Sequence, residues 1–279
     1  MAPKSDFLRT ILTEKQYQEV SECLESYSSK KDLELEASVS ISLASYSRLC
    51  REYASELDDD QIDASDILDV IFGYVSGSNY RFSVSDEDVI DEILSTMKKR
   101  RPEDIQAYLV RMMSEGKEIV LQEKKHRGVI NISDYEFRVK CSPEIDLDPS
   151  QLPPIRGDEK IMYRHKSRYS FKYPKHIIEL TEVKQSTTLW DLTSKASKYE
   201  AEMELTDRKV SMKVLGGFIE DLLKRIHSTQ VVIGRPEKEM VIQRYREISR
   251  SQARNASYRI QVSMDISHVK LLPNKYVVI

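Results

Sequence analysis

Tyr199-Glu200-Ala201-Glu202-Met203-Glu204-Leu205 alternates strictly, with Tyr199, Ala201, Met203 and Leu205 on one side of an extended chain and Glu200, Glu202 and Glu204 on the other. As a strand, this stretch lines up three carboxylates with Cβ atoms roughly 7 Å apart, twice the rise per residue. A bare row of like charges is unfavourable, so a fold that contains it must bring water, basic side chains or a cation to that face. A half-exposed strand with a solvated acidic side meets the requirement. So does a helix, because Ala, Met, Glu and Leu favour helices and Glu200 and Glu204 would share a face. The rest of the chain has to decide.

Leu33-Glu34-Leu35-Glu36-Ala37-Ser38-Val39-Ser40-Ile41 repeats the pattern far away in sequence: Leu33, Leu35, Ala37, Val39 and Ile41 on one face, a polar set opening with Glu34 and Glu36 on the other. Lys160 to Phe171 is its basic counterpart, rich in Tyr and Phe, with Arg164, Lys166, Arg168 and Ser170 alternating against Tyr163, His165, Ser167, Tyr169 and Phe171. The strand expected at Tyr135 to Cys141 places Arg138, Lys140 and Ser142 together, and the one at His176 to Val183 places Glu179 with Thr181. Charged residues make up 32% of the chain, yet the formal net charge is only −3. Bulk attraction of a polyanion needs a clearly basic domain, so any polyanion site here is local.

The remaining elements read as follows. Helices are expected at Thr13 to Ser28, capped by Thr13, at Tyr46 to Leu57, at Asp86 to Lys98 with acids first and bases last, and at Pro102 to Met112. Strands are expected at Asp66 to Phe72 and Asn79 to Val84, with Gly73 and Gly77 as punctuation. Glu118 to Lys124 is expected to pair with Tyr135 to Cys141 across a loop holding Gly128 and Asn131, and Pro143 to Gly157 is read as a long loop. Trp190 is expected to pack in the loop before the acidic stretch. Beyond Leu205, helices are expected at Met212 to Ile226 and Glu237 to Arg254, then a strand-like tail from Tyr258 to Ile279 that looks cut from something longer.

Three widely spaced cysteines fit a reducing compartment, and no Cys/His pair has zinc spacing. No apolar run reaches membrane-spanning length and the start lacks a signal-peptide core, so a soluble intracellular protein without membrane contact is expected. Walker-type glycine loops and Ser/His/Asp or Cys/His arrangements are absent.

About eight strands precede Asp207, the number at which a barrel interior just holds side chains or one small ligand. A sandwich with a charged solvent surface is the plain alternative. Segregation of acidic from basic strands favours an α+β fold built on an antiparallel eight-stranded β-barrel, with charges inside, apolar faces outside and helices flanking it. Two acidic strands face to face gather up to five carboxylates, hard ligands suited to Mg²⁺ or Mn²⁺. Opposite them, Arg164, Lys166 and Arg168 suit phosphate oxygens, Arg by its bidentate fork and Lys as a point charge. A metal and a basic clamp are the equipment of phosphoryl transfer. Lys166 lacks the fork, so its loss is expected to weaken turnover less than loss of either flanking arginine.

Leu-Glu-Leu-Glu together with Tyr-Glu-Ala-Glu-Met-Glu-Leu resembles the two acidic strands of the triphosphate tunnel metalloenzymes, in their fungal and viral RNA triphosphatase branch. Ile161 to Phe171 resembles that branch's Arg-x-Lys-x-Arg strand, and Ile178-Glu179-Leu180-Thr181-Glu182-Val183-Lys184 its next strand. The similarity is to the amino-terminal domain of mimivirus-type mRNA-capping enzymes and covers Tyr17 to about Leu205 in order. Leu271 to Val278 looks like the lead-in to a guanylyltransferase domain, whose Lys-x-Asp-Gly motif is absent.

The resemblance implies removal of the γ-phosphate from 5′-triphosphate RNA, the first step of cap formation, by residues 1–206, with 207–279 a helical segment and linker to a missing guanylyltransferase domain. It implies Glu34, Glu36, Glu202 and Glu204 as metal ligands supported by Glu200, and Arg164, Lys166 and Arg168 as phosphate holders. Arg138, Lys140 and Lys184 would assist, Lys184 only if a bulge turns it inward. Glu179 is the candidate for orienting the attacking water. Implied partners are triphosphate-ended RNA, nucleoside triphosphates, and guanylyltransferase and methyltransferase domains of the same polypeptide. The implied setting is a virion or a cytoplasmic viral factory. Ser38 stands where the branch acting on small triphosphates and polyphosphate carries lysine, which speaks against that branch. A tunnel enzyme for nucleoside or inorganic triphosphates, or a non-catalytic RNA-binding scaffold of a capping enzyme, are the alternatives. Paired acidic rows argue against the scaffold, since carboxylates repel RNA unless they hold metal.

Overall fold

A computed structural model describes residues 6–75, 78–125, 128–152, 161–229, 231–232, 234 and 239–243. Its strands are β1 (Leu33–Ile41), β2 (Ile62–Val75), β3 (Ser78–Val84), β4 (Ile119–Lys125), β5 (Val129–Ile132), β6 (Phe137–Asp146), β7 (Ile161–Lys172), β8 (His176–Ser186) and β9 (Lys198–Leu205). They form one antiparallel sheet in the order β1-β9-β8-β7-β2-β3-β4-β6-β5. β1 also pairs with β6, Glu36 opposite Lys140 and Ser38 opposite Arg138, which closes a ring of eight strands with β5 as an outer addition. The expected eight-stranded barrel is therefore present, and closure leaves its strands no free edges.

Alternation decides what closure puts inside. On β1, Leu33, Leu35, Ala37 and Val39 are buried outward beneath helices, as are Ala201, Met203 and Leu205 of β9. The barrel is thus inverted: its apolar faces point out, and Glu34, Glu36, Glu200, Glu202 and Glu204 point in. Two apolar layers cover it. One joins the outer faces of β1, β6, β8 and β9 to α1 (Phe7–Ile11), α2 (Glu14–Ser29), α3 (Leu43–Ala54) and α7 (Met212–His227). The other joins β2, β3 and β4 to α4 (Glu87–Thr96), α5 (Pro102–Ser114) and α6 (Leu189–Leu192). The expected cap forms, Thr13 and Gln16 making a capping box on α2, and Asp86 precedes α4 as its cap, accepting from Val89 N–H. Among the described residues no helix is long and apolar enough to cross a membrane.

Four expectations need correction. β4 does not pair with residues 137–141 of β6; it joins Glu144–Asp146, and the unforeseen β5 takes the place beside Phe137–Lys140. Pro143 lies inside β6 rather than in a loop. Cys141 N–H bonds toward Gly128 and Glu144 N–H toward Asp32, so the proline nitrogen falls between the stretches held by β5 and β4, where no donor is required. Trp190 does not pack: it is 64% exposed, and Leu189 and Leu192 take the buried positions of α6. The apolar core also runs past the expected boundary at 206–207, because Leu215, Ile219, Leu222, Leu223 and Ile226 of α7 belong to the same cluster as β1 and β9. The helix expected at Glu237 to Arg254, apart from 239–243, and the tail from Tyr258 to Ile279 lie outside the described residues.

Candidate active site

Every strand of the ring contributes inward side chains to one cavity of about 190 Å³. Seven carboxylates line it (Glu34, Glu36, Glu144, Glu179, Glu200, Glu202 and Glu204) together with seven cations (Arg81, Lys124, Arg138, Lys140, Arg164, Lys166 and Arg168). The sequence-expected residues therefore meet, with one exception. β7 and β8 pair without a bulge, and Lys184 sits opposite His165 on the outer face. Lys184 is not a tunnel residue.

Within the tunnel most charges are matched. Arg164 Nη2 donates to Glu200 Oε2 at 3.2 Å, and Lys140 Nζ to Glu36 Oε1 at 2.8 Å. Arg168 Nη1 donates to Glu179 at 2.8 Å while its Nη2 stands 3.9 Å from Glu202. Ser38 accepts from Arg138 Nε at 2.7 Å. Lys124 bridges Glu144 and, at 3.8 Å, Glu34. Arg81 Nη2 reaches Glu144 at 2.9 Å.

Acid outweighs base along the β1–β9 seam. Glu36 sits directly opposite Glu204, and Glu202 directly opposite Glu179 of β8. Burial, then the charges of Glu179 and Glu36, push Glu204 up to about 7. Burial and Glu36 also raise Glu202, with Arg168 pulling the other way. Burial and Glu144 push Glu34 up to about 8. Burial opposes ionisation of Glu36 and Glu144 too, but Lys140 and Lys124 hold Glu36 below its ordinary value, and Arg81 and Lys124 bring Glu144 down to about 2. Among the described residues Glu204 has no ion-pair partner, so positive charge is short at Glu204, opposite Glu36. Carboxylate oxygens short of countercharge fit a hard divalent cation. No three acidic, His or Cys side chains among the described residues stand in a ready ligating arrangement, because Glu36, Glu200 and Glu202 lean on basic side chains.

Sequence reasoning missed five tunnel groups. Arg81 and Ser83 share the inward face of β3, Lys124 ends that of β4, and Glu144 extends β6 past Pro143. Asp69 of β2 is wholly buried, accepts from Ser83 Oγ at 2.8 Å and pairs with Lys166, itself 6% exposed. Burial lowers the Lys166 pKa despite Asp69, while Lys166 and Arg81 overcome burial and keep Asp69 below its usual value. A signal existed for three of them: Tyr80-Arg81-Phe82-Ser83-Val84 alternates, and Asp69 is one acid within an apolar run.

The family model described as mRNA capping enzyme, beta chain, matches residues 5–216. A probable mRNA-capping enzyme of Acanthamoeba polyphaga mimivirus is 30% identical over 278 residues, covering 96% of this chain. This chain spans only 24% of that relative's length. A solved structure of the mimivirus capping enzyme triphosphatase is 30% identical and superimposes with a TM-score of 0.71, covering 77% of this chain and 99% of that one. A crystal structure of the RNA triphosphatase domain of a trifunctional mimivirus mRNA capping enzyme gives 0.70 over the same shares.

Proposed function

This chain belongs to the mRNA capping enzyme beta-chain family, and from that premise we propose that its tunnel is an RNA 5′-triphosphatase, removing the γ-phosphate of triphosphate-ended RNA at the start of capping. The observation that carries the reading is the closed barrel with seven cations facing seven carboxylates across one cavity.

Arg164, Lys166 and Arg168 form the wall that receives phosphate, with Arg138 and Lys140 from β6 and with Lys124 and Arg81 beyond them. An incoming triphosphate exchanges places with Glu200 and Glu36, the present partners of Arg164 and Lys140, and reaches Arg168 through the nitrogen that Glu179 does not hold. The arginines grip by bidentate contacts that strengthen as charge builds on the transferring group, and losing one such donor typically costs on the order of 10²–10³ in rate. Glu36, Glu202 and Glu204 would hold Mg²⁺ or Mn²⁺, supported by Glu34 and Glu200. A bound divalent ion there supplies charge neutralisation on the phosphate oxygens. Glu179 is fixed by Arg168 at 2.8 Å and by Ser170 Oγ at 3.4 Å, which sets its carboxylate to orient a water for attack on the γ-phosphorus. Guanylyltransferase and methyltransferase domains on the same polypeptide, and an intracellular viral setting, follow from the family by analogy.

The test is release of labelled γ-phosphate from triphosphate-ended RNA with Mg²⁺ or Mn²⁺, beside ATP and inorganic triphosphate. Glu36→Gln and Glu202→Gln should each lower turnover at least about 100-fold and weaken metal binding in calorimetry. Full metal-dependent activity in either variant overturns the site assignment. Preference for ATP or inorganic triphosphate over RNA turns the reading to a small-molecule triphosphatase.

A further inference from the structure

On the outside of the barrel, at the end where β8 leaves it, the surface carries an arrangement that packing does not require. Trp190 is the sole tryptophan of the chain and is 64% exposed, although Leu189 and Leu192 already anchor α6. Lys98 Nζ stands 5.9 Å from the indole centroid. Next to it Met97, Lys98, Arg100, Pro102, Tyr163 and Leu189 line a surface cavity of about 450 Å³. Lys98, Lys99, Arg100 and Arg101 are consecutive. Arg101 pairs with Asp104 at 3.4 Å, whereas among the described residues no carboxylate stands within ion-pair distance of Lys98, Lys99 or Arg100. Tyr163, which faces out of the barrel, pairs with Ser186, and the next residue of β7, Arg164, faces into the tunnel, so the cavity lies across the barrel wall at the end nearest Arg164. An exposed indole beside cations with no ion-pair partner among the described residues, at the end of the barrel where Arg164 lies, matches the alternating bases and charges of a single strand.

We propose that this surface seats the leading nucleotides of a single-stranded RNA whose triphosphate lies in the tunnel, one base on Trp190 and the following phosphates on Lys98, Lys99 and Arg100. The proposal rests on the tunnel being an RNA 5′-triphosphatase. Lys98 leaves the indole face when a base takes it and turns to phosphate. Stacking accepts any base, so the surface distinguishes RNA ends from free nucleotides without reading sequence. The phosphate contacts make the preference salt-dependent.

Because Trp190 is the sole tryptophan, its fluorescence reports the contact directly. A triphosphate-ended oligoribonucleotide, added to the full chain without divalent metal, should quench the emission where ATP does not. Trp190→Ala should raise KM for the RNA on the order of 10-fold, within the range one stacked base supplies, with kcat on ATP unchanged and Trp190→Phe restoring most of the loss. Lys98→Ala with Arg100→Ala should flatten the salt dependence of KM for RNA alone. Absence of quenching together with an unchanged KM in Trp190→Ala overturns the proposal. So does emission that follows protein concentration without RNA, which marks the surface as a contact between copies. Failure of the wild-type chain to release phosphate from RNA under any metal instead overturns the triphosphatase reading.

Discussion

Lys166→Met puts the buried part of the tunnel to the test. Lys166 is 6% exposed and Asp69 is fully buried, so removing the ammonium leaves a carboxylate in the wall with Ser83 Oγ and the charge of Arg81 for company. Breaking a buried ion pair from one side costs about 3–5 kcal/mol, because the surviving charge keeps its desolvation penalty. For a folded unit of this size that corresponds to a fall in Tm of roughly 10 °C. Asp69→Asn keeps the hydrogen bond with Ser83 but strands the ammonium, so it should cost a similar amount. In the double variant both charges are gone, and most of the loss should return, giving a coupling energy of at least about 2 kcal/mol. Arg164→Ala is the control: its pair with Glu200 is 25% exposed on the arginine side, and such pairs contribute about 1 kcal/mol or less. Thermal and urea unfolding of the four variants complete the cycle. If Lys166→Met melts within about 2 °C of the wild type, or if the two changes add within about 0.5 kcal/mol, the buried-pair reasoning is wrong. Lys166 then reverts to being one phosphate ligand among three.

His176 lies between Tyr173, stacked at 4.9 Å, and Phe218 at 4.1 Å, and burial brings its pKa down to about 4 against Asp221's weaker opposite pull. The unfolded chain protonates first, near pH 6.5. Stability should therefore be complete above that pH and decline as pH falls toward 4, and His176→Phe should remove that part of the decline; identical pH profiles by thermal unfolding would refute this. Arg208 donates to the carbonyls of Tyr27, Lys30 and Lys31 at 2.8–3.0 Å and lies 3.8 Å from the Tyr27 ring, closing the end of α2. Arg208→Ala should cost about 1–2 kcal/mol, and Arg208→Lys, which lacks the fork, should recover less than half of it in urea unfolding. Gly217→Ala meets open space on α7 and should stabilise by about 0.5–1 kcal/mol, while Gly216→Ala would place its Cβ 3.0 Å from Leu8 and should gain nothing. Equal effects at the two positions would show that the contact between α1 and α7 is looser than drawn.

Much of this protein is local, and what is local can be read from order alone. Strand alternation is a property of the backbone, so which residues of β1, β7 and β9 share a face follows from the sequence whatever the strands pair with. That put Glu34 with Glu36, Arg164 with Lys166 and Arg168, and Glu200 with Glu202 and Glu204, each set on one face of its strand. The helix of residues 14–29 with its Thr13 cap was equally local. Where parity ran out the reading failed, as at β6, because a proline is tolerated where a strand changes partners and no window of sequence shows that change.

Pairing across the tunnel is another matter. The Tyr199 to Leu205 row needed positive charge, and sequence established that need without naming its source. Closure of β6 on β1 brings Lys140 to Glu36, and the register of β2 on β7 brings Asp69 to Lys166, across separations that no local pattern encodes. Which acids end neutralised and which stay short of charge, Glu204 above all, follows from those registers and from burial. The sequence by itself determined the faces; closure of the barrel determined the partners, because charge depends on distance in space and alternation only on distance along the chain.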